Sequence, residues 1–159
     1  MAKPKPDGYH TVTPYLTVKD ATKALDYYKK AFGAQVTVSM PRPGGKGVMH
    51  AEMKIGDSMI MLADEMPGQD QKSPQSLGGH TASIFLYVDD ADAVYAKAVA
   101  SGGAGRAPVQ DMFWGDRMGR IVDPFGHEWS IATHKEDLSA DEMKKRGQEF
   151  MKKMSASGA

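Results

Sequence analysis

The sequence predicts an α+β fold in which a β-α-β-β-β module occurs twice in tandem and a C-terminal helix follows. Two observations predict the modules. Residues 11–34 and residues 81–104 repeat one pattern, with an offset of 70 throughout, and each copy continues into three strand-like segments. A third observation, a helix-capping signal that begins at Ser139, predicts the last helix.

The repeated segment carries the signals of a strand followed by a capped helix. In the first copy, residues 13–18 are rich in β-branched and aromatic side chains, which favour strands. Asp20 can cap the following helix, and Gly33 can end it in the left-handed conformation. Asp90 and Gly103 stand at the same places in the second copy, so strand, cap, helix and closing glycine recur together. The apolar helix faces comprise Ala24, Leu25, Tyr28 and Phe32 in the first copy and Val94, Tyr95, Ala98 and Val99 in the second.

Three strand-like segments complete each copy. In the first copy, Gly56 and Asp57 are a strong signal for a two-residue hairpin between the last two segments. In the second copy, DPFG at residues 123–126 predicts a four-residue loop at the same point. The segments are residues 35–40, 48–55 and 58–63 in the first copy and 108–112, 116–122 and 127–133 in the second.

These signals divide the chain into one domain and a helical tail. Between the modules the sequence is polar and rich in Pro, Gly, Gln and Ser, as linkers are. The predicted boundaries are 1–137 for the domain, 9–66 for module one, 64–79 for the linker, 80–134 for module two and 138–159 for the tail.

The tail is predicted to be an amphipathic helix. Ser139 and Glu142, three residues apart, form a capping box at its start. Such a helix must bury its apolar face, either on its own domain or across a dimer. That face comprises Met143, Gly147, Phe150, Met151 and Met154.

Composition excludes several classes of function. Twenty basic and twenty acidic side chains give no net charge, so the chain lacks the basic surface that nucleic-acid binding requires. No apolar run approaches the roughly 18 to 20 residues that span a bilayer, and no signal-peptide pattern opens the sequence. We therefore expect a cytoplasmic protein without nucleic-acid or membrane partners. Because there is no cysteine, any metal would need His, Asp or Glu ligands.

Two modules of this length, with V-x-D opening each helix and a DPFGH turn late in the second, resemble the vicinal oxygen chelate superfamily. That superfamily includes glyoxalase, bleomycin-resistance and extradiol dioxygenase proteins. The likeness covers residues 11–134 and looks most like the metal-poor glyoxalase-like branch, which carries W-G-D-R where this chain has residues 114–117. The resemblance implies a curved mixed sheet around a small-molecule cavity, and a homodimer. Two modules in one chain could form a complete cavity alone, or they could share one with a second copy.

The resemblance also implies where a metal would bind. Metal enzymes of the superfamily take ligands from the first and last strand of each module, typically His or Gln and then Glu. The matching positions here are Thr13, Met61, Ser83 and Ser130. Neutral hydroxyls and a thioether are poor ligands for divalent ions. We therefore expect neither the usual metal nor any other cofactor.

Counting outward from the first hairpin predicts a polar pair that faces the cavity. With a two-residue turn, Glu52 lies opposite Met61, and His50 faces the same way. His50 and Glu52 could then act as a general acid-base pair, and they are the candidate catalytic residues. The alternative is that His50 only lines a wet cleft.

The same count across a four-residue DPFG loop sets Gly119 opposite Ser130 and turns Arg117 into the cavity. Arg117 could bind a carboxylate, phosphate or phenolate of a ligand, or it could form a structural ion pair with Glu52. Trp114 could stack on a ligand as an aromatic rim or cover the edge of the core. Asp116 alternates with Arg117 and is expected to face away as a turn or rim residue.

These positions define the predicted binding surface, a largely apolar or neutral set with a few directed polar groups, as in small-molecule pockets. The expected ligand-contacting residues are Thr13, Tyr15, His50, Glu52, Met61, Ser83, Phe85, Trp114, Arg117 and Ser130.

The leading hypothesis is a metal-free, dimeric small-molecule-binding protein of the glyoxalase/bleomycin-resistance type that sequesters an antibiotic or toxic metabolite. The alternative is a lyase, isomerase or dioxygenase of the same superfamily, which would use a non-standard metal site or acid-base chemistry of His50 and Glu52. A third reading is a regulatory or interaction module that acts through its C-terminal helix.

Overall fold

A computed structural model describes residues 3–157, and the predicted domain and tail therefore each have two terminal residues outside the described part. Within it, a strand, a helix and three strands occur twice in succession. Module one comprises β1 (Tyr15–Val18), α1 (Ala21–Phe32), β2 (Gln35–Pro41), β3 (Val48–Ile55) and β4 (Ser58–Asp64). Module two comprises β5 (Ser83–Tyr87), α3 (Ala91–Ala100), β6 (Ala104–Asp111), β7 (Asp116–Val122) and β8 (Glu128–His134). A short helix, α2 (Pro74–Leu77), joins the modules, and α4 (Ala140–Ser157) follows the second.

Each module forms its own four-stranded mixed sheet. Sheet one has the strand order β1-β4-β3-β2, and sheet two has the matching order β5-β8-β7-β6. The first strand of each module lies parallel to the last, whereas the other neighbours are antiparallel. This arrangement confirms the predicted α+β class and the duplicated module.

The predicted N-terminal helix caps are present in both copies, whereas the predicted closing glycine is present only in the first. The carboxylate of Asp20 accepts a hydrogen bond from the amide of Lys23 at 3.0 Å, and Gly33 ends α1 with a left-handed φ of 68°. The carboxylate of Asp90 accepts from the amide of Ala93 at 3.0 Å at the start of α3. The second copy ends differently, because its cap is Ser101 in the right-handed conformation.

Helices α1 and α3 lie in one core that both sheets share. The Tyr28 hydroxyl of α1 donates to Asp123 in module two at 2.7 Å, and the Phe32 ring lies 4.6 Å from the Trp129 ring, measured between centroids. The Tyr27 hydroxyl donates to the Ala98 carbonyl of α3 at 3.1 Å. One face of each sheet is therefore covered by helices. We call the opposite face of sheet one open face one and that of sheet two open face two.

The two hairpins differ in how well the sequence predicts them. In the first, Ile55 pairs with Ser58 and Glu52 with Met61, as the two-residue turn requires. In the second, Val122 pairs with Glu128, so the loop has five residues, Asp123 to His127, and the predicted four-residue loop is wrong.

The physical reason for the longer loop is the side chain of Asp123. Its carboxylate accepts hydrogen bonds from the backbone amides of Phe125 and His127 at 2.9 and 3.0 Å, which holds His127 inside the turn. The register moves by one residue, so that Arg120 rather than Gly119 lies opposite Ser130. A shift of one residue turns every side chain of β7 to the other face.

The tail forms the predicted helix. The Ser139 hydroxyl accepts from the amide of Glu142 at 3.2 Å, as a capping residue does. The Phe150 ring packs on Phe113 of the same chain, with 5.4 Å between the ring centroids, while Met151 remains exposed. Of the helices in residues 3–157, none combines the length and the apolar character needed to cross a membrane.

Candidate functional site

Open face one carries a chain of hydrogen-bonded polar side chains. The Tyr9 hydroxyl donates to one oxygen of Glu52, and His50 Nε2 lies 3.0 Å from the other. His50 Nδ1 lies 3.2 Å from the Tyr15 hydroxyl, so the imidazole bridges Glu52 and Tyr15. Met61 lies opposite Glu52 in the register and adds an apolar side chain to the same face. The predicted grouping of His50, Glu52 and Met61 on one face is thus observed.

This network sets the charge state of open face one. Hydrogen bonds from Tyr9 and then His50 hold the pKa of Glu52 below its ordinary value, so Glu52 is ionised near neutral pH. Burial and the hydrogen bond to Glu52 raise the pKa of Tyr9 to about 12, so Tyr9 remains a hydrogen-bond donor. The face therefore presents a carboxylate held between the Tyr9 hydroxyl and the His50 imidazole.

Open face two is dominated by aromatic and small side chains. Phe85 pairs with Ser130 and Tyr87 with Ala132, so all four side chains lie on one face. Phe85 and Tyr87 are 45% and 61% exposed, and their ring centroids lie 5.0 Å apart. Ser83, also predicted as a site residue, lies on the same face at the exposed start of β5.

Arg117 does not face this surface, and its predicted orientation is wrong. Because of the register shift, it lies on the helix-covered side of sheet two. Its Nε and Nη2 atoms donate to the two oxygens of Asp92 at 2.6 and 2.7 Å, and Nη1 donates to Asp111 at 3.1 Å. Asp92 and then Asp111 raise the pKa of Arg117 further above its ordinary value. The alternative ion pair with Glu52 is also wrong, since Arg117 is engaged by these two aspartates.

Asp116 takes an unexpected place on open face two. It is 3% exposed, and one carboxylate oxygen accepts from Trp114 Nε1 at 2.9 Å and from the Tyr87 hydroxyl at 3.0 Å. The other oxygen lies 2.8 Å from His134 Nδ1. The expectation that Asp116 faces away is therefore wrong, again because of the register. Trp114 lies at the end of this face, where its indole N–H orients Asp116.

The Asp116 cluster shifts the pKa values of its members. Burial alone would raise the pKa of Asp116, but hydrogen bonds from His134, Trp114 and Tyr87 lower it overall. Hydrogen bonds to Asp116 and then Asp137 raise the pKa of His134 above 6.5. Asp116 is thus ionised and surrounded by donors, which leaves it little capacity to bind a ligand.

Sequence reasoning missed Tyr9, Tyr87, Asp116 and His134. Alternation along the strands would have placed Tyr87 with Phe85, and a five-residue loop would have placed Asp116 with Ser130. No local signal joins Tyr9 to Glu52, because 43 residues separate them. The hydrogen-bonded groups around Glu52 on open face one and around Asp116 on open face two form two separate clusters. Each hydrogen bond in them joins residues of the same module.

The predicted metal positions do not fit a divalent ion. Thr13 precedes β1, and its hydroxyl donates to the His10 carbonyl at 3.1 Å. Met61, Ser83 and Ser130 offer a thioether and two hydroxyls. Across residues 3–157, no three His, Asp, Glu or Cys side chains gather in a way that could hold a metal ion.

A cleft of about 770 Å³ lies beside the free edge of β5. Its walls come from the segment before β1, the β3–β4 turn and the start of α3, and it also touches Phe85 and Tyr87. This volume is within the range of pockets that bind drug-sized molecules. The aromatic pair therefore lies between this cleft and open face two.

The sequence matches a known protein family and a bacterial relative. Residues 9–131 match the model of the Glyoxalase/Bleomycin resistance protein/Dioxygenase superfamily. An uncharacterized protein of Mycobacterium bovis is 38% identical over 135 residues, which cover 83% of this chain and 88% of that protein.

Solved structures show the same similarity in three dimensions. TioX from Micromonospora sp. has a TM-score of 0.62 and 26% identity, over 79% of this chain and 98% of TioX. A bleomycin resistance determinant encoded on the transposon Tn5 has a TM-score of 0.55 and 21% identity, over 79% of this chain and 98% of that one. The second likeness concerns the fold alone.

Proposed function

Because the chain belongs to the Glyoxalase/Bleomycin resistance protein/Dioxygenase superfamily, we propose that it binds a small molecule on its open sheet faces without a metal. The observation that carries this proposal is the make-up of those faces. On open face one, the exposed Tyr15 ring stands beside the polar pair of His50 and Glu52. On open face two, the Phe85 and Tyr87 rings are exposed. Apolar surface with a few oriented polar groups is typical of small-molecule sites.

The absence of a suitable donor set supports the metal-free part of the proposal. At the four positions that the resemblance matches to metal ligands, this chain has side chains that bind divalent ions weakly. On open face one, His50 and Glu52 offer only two possible metal ligands. Both side chains are already hydrogen-bonded to their neighbours. Sequestration of an antibiotic or a toxic metabolite is the role we propose, in keeping with the bleomycin resistance proteins that the matching superfamily includes.

We further propose that a second copy of the chain completes each binding site. The clusters on the two open faces do not contact each other within one chain, and both faces expose aromatic side chains. A homodimer would cover this apolar surface and enclose a ligand more fully. Light scattering on the purified chain should give twice the mass of one copy. A monomer at all concentrations would contradict this, and an unchanged dimer after deletion of residues 138–159 would remove α4 from the interface.

The binding proposal is tested by a thermal-shift screen of aromatic antibiotics and aromatic acids. A ligand at 100 times its dissociation constant stabilises the folded state by about 2.7 kcal/mol, which such a screen detects. Tyr15→Ala and Phe85→Ala should weaken each hit. Val99→Ala is the matched control, since Val99 is an exposed apolar residue on α3. Hits that all three variants retain equally would place the ligand elsewhere.

An enzyme is the second candidate, favoured by the His50–Glu52 pair. Glu52 orients the imidazole, and the Tyr15 hydroxyl contacts its other nitrogen, so His50 could move a proton at a substrate bound on open face one. Turnover of a screened ligand that is lost in His50→Gln but kept in Val99→Ala would support catalysis. Elemental analysis distinguishes metal-dependent from metal-free chemistry, because one tightly held metal ion per chain would overturn the metal-free proposal.

A further inference from the structure

We propose that the free edge of β5 binds an extended peptide segment that carries basic side chains. This site lies in the cleft beside β5 and not on the open faces, so it goes beyond the proposed small-molecule function. Three features of the cleft support it: unpaired backbone groups, apolar walls and carboxylates that no lysine or arginine neutralises.

The edge of β5 that borders the cleft carries unpaired backbone groups. β5 is the last strand of sheet two and pairs with β8 on its other side. The Val88 amide, just after β5, donates to the Ala132 carbonyl of β8 at 2.8 Å. Because successive residues of a strand direct their backbone groups to opposite sides, Phe85 and Tyr87 turn theirs away from β8. Within residues 3–157 these groups have no hydrogen-bond partner, so an added strand could pair with them.

The walls of the cleft are largely apolar. They include Val12 and Pro14 before β1, Ile55 and Met59 of the β3–β4 hairpin, and Val94 of α3. The volume of about 770 Å³ is within the range that holds a ligand of drug size, which is also the size of a segment of a few residues. When a peptide adds to a sheet edge, main-chain hydrogen bonds provide affinity and alternate side chains provide specificity. The apolar walls therefore favour a segment with apolar side chains along one side.

Carboxylates give the cleft a negative charge. Asp57 of the β3–β4 turn and the successive residues Asp89 and Asp90 after β5 line it. Asp57 accepts from the Ser58 hydroxyl at 2.9 Å, and Asp90 caps α3. None of the three aspartates forms an ion pair with a lysine or arginine of residues 3–157, and the described residues that line the cleft include neither type. Lysine or arginine side chains of a bound segment would complement this charge, whereas acidic ones would be repelled.

An extended peptide fits these features better than other occupants do. A small organic cation would meet the carboxylates but would leave the amides of Phe85 and Tyr87 without acceptors. A peptide backbone offers both donors and acceptors along the edge. An edge strand of a second copy offers them too, but β1 and β2, which are edge strands of sheet one, have no basic side chain for the carboxylates.

The test compares the acetylated and amidated pentapeptide VKVKV with its charge-reversed counterpart VEVEV by isothermal titration calorimetry. Wild type should bind VKVKV at least about fivefold more tightly, which is the ratio that one exposed ion pair can supply. Combining Asp57→Asn with Asp89→Asn should remove most of this preference. Asp70→Asn is the matched control and should keep it, because Asp70 is an exposed aspartate that does not line the cleft.

Amide hydrogen exchange followed by NMR shows whether the peptide pairs with the edge. In the free chain, the amides of Phe85 and Tyr87 should exchange fast, whereas the Val88 amide is protected by its bond to Ala132. Saturating VKVKV should slow exchange at Phe85 and Tyr87 at least about tenfold and leave Val88 unchanged. Binding that leaves Phe85 and Tyr87 unchanged would place the peptide elsewhere and overturn the proposal.

The remaining outcomes separate the peptide site from the small-molecule function. Equal affinity of wild type for the two peptides, or no binding of either at millimolar concentration, overturns the peptide site without any variant, so a folding defect cannot mask the result. Slow exchange at Phe85 and Tyr87 before peptide is added, which becomes fast on dilution, would assign the edge to a second copy and overturn the site as well. None of these results affects ligand binding on the open faces, which the thermal-shift screen tests separately.

Discussion

Replacing Asp123 by alanine is expected to destabilise the folded chain by about 4 kcal/mol. The carboxylate accepts hydrogen bonds from the Tyr28 hydroxyl at 2.7 Å and from Trp129 Nε1 at 2.9 Å. Tyr28 and Trp129 are both fully buried, so neither donor can turn to water after the substitution. A buried donor left unpaired costs about 1 to 3 kcal/mol, and two such donors give about 2 to 6 kcal/mol.

Asp116→Ala is the matched control for this prediction. Asp116 is also 3% exposed and also accepts from one tyrosine and one tryptophan. Tyr87, however, is 61% exposed, and Trp114 is half-buried, so both donors can bond to water once Asp116 is removed. Its loss should therefore cost only about 1 to 2 kcal/mol.

Equilibrium unfolding in guanidinium chloride, followed by far-UV circular dichroism at one protein concentration, measures both variants. Adding Tyr28→Phe to Asp123→Ala should recover part of the lost stability, because it removes one orphaned donor. Losses that agree within about 0.5 kcal/mol for Asp123→Ala and Asp116→Ala would refute the reasoning that burial of the donors sets the cost.

Two further predictions concern the end of module two. Asp116 and Asp137 raise the pKa of His134, so the stabilisation by protonated His134 is complete below pH 6.5 and is lost as the pH rises through the raised value. Asp137→Asn should lower the midpoint of the His134 titration followed by NMR, and an unchanged midpoint would contradict this. Gly115 has a φ of 98°, and a Cβ there would lie 2.5 Å from a backbone carbonyl oxygen. Gly115→Ala should therefore lower the melting temperature more than Gly44→Ala, whose site has a φ of 91° but open space around it.

The duplicated module could be read from the sequence because its signals are local. Asp20 and Asp90 cap helices through amides three residues away, and Gly56-Asp57 sets the register of the first hairpin by its own geometry. The grouping of His50 with Glu52 followed from that register alone. Local chemistry thus determined the fold class and one half of the candidate site.

Tertiary structure decided which residues form the other half of the candidate site, on open face two. Asp123 binds Tyr28, 95 residues earlier, and the same carboxylate holds a five-residue loop in place. No pattern near the loop shows this extra residue, yet it turns Arg117 away and brings Arg120 onto the open face. Because side chains alternate along a strand, one residue of loop length decides which charged side chain lies on the open face. The sequence by itself therefore determined that a polar surface exists on these sheets, while long-range hydrogen bonding decided which residues form it.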